Sequence, residues 1–423
     1  MLRVSFLCLP RKRPRRGGGF FPKRAEDRAG DRKKEEAPEG ARGGTTEGAH
    51  MEQILAVLGA FTYKQLIMML VGAGLIWLAI EKEYEPNLLL PMGFGTILVN
   101  IPLSSAISQM VDGTLHKGAL SVLFDLGIAT ELFPLLIFIA VGAMIDFSPL
   151  LSNPVMFLFG FAAQAGIFLT MGLALLFGFS LHEAASIGII GAADGPTSIY
   201  VSARFAPHLL GPISVAAYTY MAIVPLIQPP VIRLLTTKSE RRIKMAYAKR
   251  AVSRRTKILF PIAVTLVAGV VAPASVSLIG FLMFGNLVRE CGVLERLSKA
   301  AQNELANLVT LLLGFTIAAT MTGERFVQTS TLLIIAMGLV AFILDTAAGV
   351  LAAKVLNLFR SEKINPMVGA AGISAFPMSA RVIQRMGQQE DPSNFLLMHA
   401  VGANVAGQIG SVLAGGLLLA YLG

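Results

Sequence analysis

Asp194 stands in GAADGPTS with apolar stretches on either side. An ionised aspartate at the centre of a membrane helix costs about 2.5 to 3.5 kcal/mol on insertion scales, so its place there calls for a stabilising partner. Gly195 and Pro196 follow it directly, a pair that breaks a helix and frees backbone carbonyls. With the hydroxyls of Thr197 or Ser198, Asp194 then offers an all-oxygen nest for a small hard cation. A second reading makes Asp194 the N-cap of a half-helix starting at Pro196, and both roles can hold at once.

More neutral oxygens come from Asn365 and Ser374 in INPMVGAAGISAFPMSARV and from Asn404 in HAVGANVAGQIGS. Neutral oxygens around one carboxylate suit a monovalent cation, whereas tight calcium sites collect several carboxylates. Taken singly, Asn365 reads as an Asn-Pro turn, and Ser374 and Asn404 as small packing residues. Taken with Asp194 at the matching place in an internal repeat, the ligand reading is the stronger. Arg381, seven residues after Ser374, has the planar fork that holds a carboxylate, or else snorkels to an interface. Tyr220 in AAYTYMAIVP is either a proton donor and acceptor or a member of an aromatic belt. Glu324 and Asp345 are further acids in or beside apolar stretches, with no role assigned. The five histidines never fall at i, i+3 or i, i+4, and the two cysteines form no CxxC pair, which argues against transition-metal chemistry.

The elements that must hold these residues are apolar. Of 423 residues 54% are hydrophobic and 15% charged, with mean hydropathy +0.66, more apolar surface than one soluble core hides. Spans are expected near 65–80, 88–108, 132–146, 154–178, 211–235, 258–288, 305–321, 329–357 and 396–422, with Pro273 interrupting 258–288. Counting half-helices, this makes about ten or eleven membrane segments. An order recurs: AVGAMIDF, a long span, GIIGAADGPTSIY and another span, then GFTIAATMT, a long span, INPMVGAAGISAFPMSARV and a final span. The expected fold is therefore an all-α polytopic membrane protein of two structural repeats, taken as inverted, with broken helices and re-entrant segments meeting at the midplane. The first repeat covers about 130–235 and the second about 303–423, within a membrane domain from 51 to 423.

The loop at 233–257 carries ten Lys and Arg against one Glu, which assigns it to the cytoplasm. The acidic GQQEDPSN at 387–394 is assigned to the other side. Residues 1–50 hold 13 Lys and Arg against 7 Asp and Glu and too few apolar residues to order, so a disordered basic tail is expected, with Met51 as the start of the functional chain. The RKRPRR run lacks a stacking platform, and no nucleic-acid partner is expected.

GAADGPTSIY, YMAIVPLIQPP, KINPMVGAAGISAFPMSARV and NFLLMHAVGANVAGQIGS together resemble the beta subunits of sodium-pumping, biotin-dependent decarboxylases acting on oxaloacetate, methylmalonyl-CoA or glutaconyl-CoA. The likeness covers nearly everything after residue 60. It implies a subunit of a bacterial or archaeal cytoplasmic membrane that decarboxylates carboxybiotin, consumes a proton and expels sodium ions. Asp194 is then the essential sodium-binding carboxylate, with Asn365, Ser374 and Asn404 at the sodium site, Tyr220 delivering the proton and Arg381 holding carboxybiotin. The resemblance also implies partners: a biotin carrier and carboxyltransferase of alpha type, a small single-span subunit of gamma or delta type, and further copies of the chain. No MKM biotin-attachment sequence occurs here, so biotin is expected on a partner. Three departures stand out: GAADG for the usual GGADG, GANVAG for GPNVAG, and the unusual TMTGERFV. A secondary sodium-coupled carrier of organic anions or protons, with no covalent chemistry, is the competing reading, and a non-catalytic membrane scaffold a third.

Overall fold

Caps, prolines and glycines set where the apolar segments begin and end. The computed structural model describes residues 59–111, 114–246 and 251–423, so the expectations for residues 1–50 and for Met51 lie outside the described residues. Helix α1 (Tyr63–Glu81) opens on a capping box in which Thr62 Oγ1 accepts from the Gln65 amide and Gln65 Oε1 accepts from the Thr62 amide. Helix α2 (Pro86–Asn100) starts on a proline, whose missing N–H is unneeded in a first turn. It ends sooner than the span expected to 108. Pro102 disfavours helical geometry at the residue before it, and Ile101 is extended with ψ 124°. A small antiparallel hairpin follows, β1 (Gln109–Val111) with β2 (Thr114–His116), which the spacing of apolar residues does not predict.

Helices α3 (Ala119–Gly127) and α4 (Leu132–Met144) are bent by 63° to one another. After the single turn α5 (Ser148–Ser152), helices α6 (Met156–Ala163) and α7 (Ala165–Leu176) make one 21-residue span interrupted at Gln164. Helix α8 (Leu181–Gly188) runs through a 3-10 turn, Ile189–Ala192, to a break before α9 (Gly195–Phe205). Helices α10 (Leu210–Ala222) and α11 (Val224–Leu235) meet at 69°, and α12 (Lys238–Arg241) begins the basic loop. Pro273 divides the next stretch into α13 (Arg254–Val271) and α14 (Val276–Glu290). Then come α15 (Glu295–Ala300), α16 (Ala306–Ala318), α17 (Gly323–Phe326) and the 30-residue α18 (Thr329–Leu358). The chain closes with α19 (Pro366–Ala370), α20 (Met378–Glu390) and α21 (Leu397–Leu422). Among the described residues four helices are long and apolar enough to cross a membrane alone, or six if each bent pair counts as one span.

Inside hydrocarbon, apolar burial does not draw helices together, and close backbone approach does. A Cβ on Gly72 of α1 would lie 2.7 Å from the Gly93 carbonyl oxygen of α2, and one on Gly93 2.6 Å from that of Gly72. Gly349 of α18 and Gly369 of α19 exclude side chains from each other in the same reciprocal way.

Two interrupted segments enter this bundle from opposite ends. At one end His182 of α8 bonds the Leu422 carbonyl at 2.8 Å and stacks on Phe205, the last residue of α9. At the other end Asn365, capping α19, donates to the Arg241 and Ile243 carbonyls, and Glu390 closing α20 pairs with Arg241 at 2.7 Å. The ends are far apart, because α21 begins near the second and its 26 residues span about 39 Å at 1.5 Å per residue. Between them the segments touch: the Ser374 amide donates to the Ala192 carbonyl at 2.9 Å.

The acidic segment at 387–394 is thereby corrected, for it lies at the same end as the basic loop. Arg241 and Arg242 bond the Glu390 side chain and carbonyl, and Lys244 pairs with Asp391 at 3.1 Å. Acidic residues orient membrane segments weakly, and here pairing with the loop decides.

The Arg241 guanidinium holds the Glu390 carboxyl below its usual range. A lowered carboxylate stabilises the fold above its unfolded value, about 4.3 for glutamate, and loses that contribution as pH falls through the folded value. Thermal melts of the purified protein should place Glu390→Gln below wild type near neutral pH, by about 1 kcal/mol or less. The gap should close in acid below about pH 4; a gap constant across that range would show that the pair contributes nothing.

Candidate functional site

The break after α8 carries the site. Ala193 takes a left-handed conformation, φ 53°, and reverses the chain, at a cost of about 1–2 kcal/mol for a residue with a Cβ. Asp194 is then extended, and Gly195–Pro196 starts α9 with proline in the first turn. Asp194 Oδ1 accepts from the Thr197 amide at 3.3 Å, so the capping role is present. Its other oxygen, Oδ2, accepts from Thr197 Oγ1 at 2.6 Å and from Ser411 Oγ of α21 at 2.8 Å. Ser198 Oγ donates to the Asp194 carbonyl at 2.8 Å. Both candidate roles of Asp194 therefore share one carboxylate.

The break after α19 packs against this turn. Besides the amide bond to Ala192, Ser374 Oγ donates to the Gly407 carbonyl at 2.8 Å, and Gln408 Nε2 donates to the Ser374 carbonyl. Asn404 Nδ2 donates to the Ile373 carbonyl at 2.5 Å, and its Oδ1 is buried with no hydrogen-bond partner among the described residues. Asp194 is 4% exposed, and Thr197, Ser198, Ser374, Asn404 and Ser411 are at most 1%. A buried carboxylate, hydroxyls and an orphan amide oxygen form a donor set of oxygen only, which suits an alkali ion stripped of water. No cluster of His, Cys, Asp and Glu for a transition metal occurs among the described residues.

A cavity of about 250 Å³ reaches the site, lined by Asp194, Ser374, Gln408, Tyr218, Asn307 and Glu85 among others. Met144 also lines it. The Met144 carbonyl accepts from Arg289, whose neighbour Glu290 pairs with Lys257, the last residue of the basic loop. The mouth thus opens at the basic-loop end.

Three predicted residues stand elsewhere. Asn365 is fully buried, but its Oδ1 accepts from the Met367 amide and its Nδ2 serves the basic loop, so its side-chain bonds go to a cap and a loop rather than to Asp194. Tyr220 donates to the Ile335 carbonyl of α18, with its ring against Gly338. Arg381 is exposed on α20.

Tyr218, Ser411 and Gln408 join the site beyond the residues expected from sequence. Residues two apart on a helix face opposite ways, and Tyr218, not Tyr220, lines the cavity, its ring over Gly195. Asn404, Gln408 and Ser411 repeat at four and three along an apolar helix, a polar stripe that periodicity makes legible. Asp345, left without a role, is 1% exposed on α18, its carboxylate against Gly166 and Ile167 at the start of α7 and against Gly191.

The family profile of the Na+-transporting oxaloacetate decarboxylase beta subunit matches residues 64–422. The chain is 50% identical over 376 residues to the methylmalonyl-CoA decarboxylase subunit beta of Propionigenium modestum, covering 85% of this chain and 95% of that one. It is 51% identical over 364 residues to the glutaconyl-CoA decarboxylase subunit beta of Acidaminococcus fermentans, covering 86% and 95%. To the oxaloacetate decarboxylase beta chain of Klebsiella pneumoniae it is 46% identical over 412 residues, covering 85% and 95%.

A Cβ at residue 195 would run into the Tyr218 ring. Gly195→Ala should therefore destabilise the protein by about 1–3 kcal/mol in thermal melts. Adding Tyr218→Val, which removes the obstructing ring atoms, should recover at least half of that loss; additive losses would mean that the contact is not what excludes the methyl group.

Proposed function

Because the chain belongs to the Na+-transporting oxaloacetate decarboxylase beta-subunit family, we propose that it decarboxylates carboxybiotin, consumes a proton and couples the reaction to sodium export. The observation that carries this reading is the Asp194 carboxylate buried where the breaks after α8 and α19 meet, bonded by Thr197 and Ser411, with Ser198 on its backbone carbonyl, Ser374 on the same cavity and Asn404 bonded to the second break at Ile373. Asp194, Thr197, Ser198, Ser374 and Asn404 hold the sodium ion. Asn365 serves the same site from a distance, by capping α19 and so fixing where Ser374 falls. The two segments enter from opposite ends, which supports two inverted repeats with re-entrant hairpins. With the basic loop in the cytoplasm, the cavity mouth faces inward, the conformation that loads sodium from the cell.

Carboxybiotin comes on a partner subunit. Arg381, exposed on α20 beyond the second break, offers its planar fork to the carboxylate. Decarboxylation breaks the bond between the biotin ring nitrogen and the carboxyl carbon, the electron pair stays on nitrogen, and a proton relayed through Tyr220 replaces the departing carbon dioxide. Moving one positive charge out against 100 mV takes about 2.3 kcal/mol, so the pump must suppress decarboxylation without transport. The relatives named for three different acids are 46–51% identical to this chain, which fits an acyl specificity set by the carboxyltransferase partner. A biotin-carrying alpha-type subunit, a small single-span subunit and further copies of this chain complete the complex.

Reconstituting the complex in vesicles tests the reading against a secondary carrier. Sodium uptake into inverted vesicles should require a decarboxylase substrate and stop with avidin, and Asp194→Asn should lose both transport and decarboxylation. Substrate-independent sodium counterflow that avidin leaves untouched would favour the carrier, and full decarboxylation in Asp194→Asn would exclude tight coupling.

A further inference from the structure

The cavity that ends at Asp194 begins at a second carboxylate. Glu85 lies in the connection between α1 and α2, half-buried, and lines the same cavity as Asp194. Tyr218 lines the same cavity as both carboxylates.

Neither helix capping nor ion pairing within the described residues accounts for a glutamate at this place. Glu85 precedes α2 at the N-cap position, yet its side chain makes no capping bond; the backbone carbonyl instead accepts from the Leu88 and Leu89 amides at 3.0 and 2.9 Å. Its backbone is left-handed, φ 37° and ψ 57°, a conformation that costs a glutamate about 1–2 kcal/mol. Among the described residues no lysine, arginine or histidine forms an ion pair with it, and the neighbouring Lys82 lies over the Trp77 ring, 5.5 Å from its centroid. Strained backbone thus holds an acid, without a counter-ion among the described residues, at the open end of a cavity.

The other polar groups at this end are neutral. Asn87 Nδ2 donates to Asn307 Oδ1 at 2.9 Å, a bond that joins the start of α2 to the start of α16 and leaves Asn87 Oδ1 as an acceptor. Thr310, one turn further along α16, lines the same wall. A carboxylate with amide and hydroxyl oxygens, at a mouth still open to water, attracts a cation that keeps part of its hydration shell. Burial also pushes the Glu85 carboxyl up, so an arriving cation relieves an unfavourable charge.

We propose that Glu85, with Asn87 and Asn307, forms a loading site at the cavity mouth, where a hydrated sodium ion is captured before it passes to Asp194. The proposal rests on the reading of Asp194 as the sodium-binding carboxylate and adds an entry step with its own residue. Glu85 is too far out to form the dehydrated site, so its loss weakens capture rather than chemistry.

The test is the sodium dependence of decarboxylation by the reconstituted complex, with choline chloride holding ionic strength constant. Glu85→Gln should raise the half-saturating sodium concentration about tenfold, the equivalent of about 1.4 kcal/mol, with turnover at saturating sodium within twofold of wild type. Glu85→Asp, which keeps the charge, should recover most of the affinity. Raising choline should weaken sodium capture in wild type and much less in Glu85→Gln, because screening acts on a charge exposed at the mouth. An unchanged half-saturation in Glu85→Gln, or turnover lost in both variants at saturating sodium, would overturn the loading site. Should Asp194→Asn keep its sodium dependence, the Asp194 reading itself fails; should it be inactive while Glu85→Gln behaves as wild type, only the loading site is rejected.

Discussion

The carboxylate of Asp194 is enclosed by protein, and its surroundings are shaped by what a buried charge requires. Two hydroxyls and a backbone amide bond it, and the hydroxyls come from different parts of the chain, Thr197 beside it and Ser411 on the last helix. Neither a continuous α8–α9 helix nor a continuous α19–α20 helix would bring these oxygens together. The breaks release carbonyls, and the bond from the Ser374 amide to the Ala192 carbonyl ties one break to the other. Irregular backbone is tolerated in a membrane where protein surrounds it, and residues 189–195 and 371–375 of these breaks are buried.

Small residues let the helices come close enough to build that shell. Gly372 and Gly407 pack backbone to backbone where the second break meets α21, and a Cβ on Gly415 would lie 2.8 Å from Thr197 Cγ2, so α21 lies directly on the start of α9. A larger side chain at these places would part the Asp194 turn from Ser411. The glycine richness of the chain thus serves the site as well as general packing.

Much of this was legible from sequence because breakers and charges in apolar stretches are informative. Asp194 before Gly195–Pro196 marked the first break, and Pro273 marked the division of α13 from α14. An asparagine before proline looks the same in sequence whether it binds an ion or caps a helix, and the bonds of Asn365 to Met367 and to the Arg241 and Ile243 carbonyls show the cap. That Tyr218 lines the cavity while Tyr220 bonds α18 depends on how α10 is rotated, which no local pattern states. The side of residues 387–394 is not legible from their own charges, because pairing with arginines and a lysine of the basic loop decides it. The strands at 109–111 and 114–116 and helix α3 carry no membrane-length pattern, and their structure follows from tertiary context.

Direct sodium binding to the isolated subunit is the closest test of the central claim, because it needs neither partner nor biotin. A ligand that binds only the folded state adds about 2.7 kcal/mol of stability at a hundred times its dissociation constant. Thermal melts of the purified chain in sodium chloride and in choline chloride of equal ionic strength should differ, with sodium raising the midpoint of wild type and leaving that of Asp194→Asn unmoved. Equal stabilisation of both proteins by sodium would mean that the ion binds elsewhere, and the account built on Asp194 would be wrong.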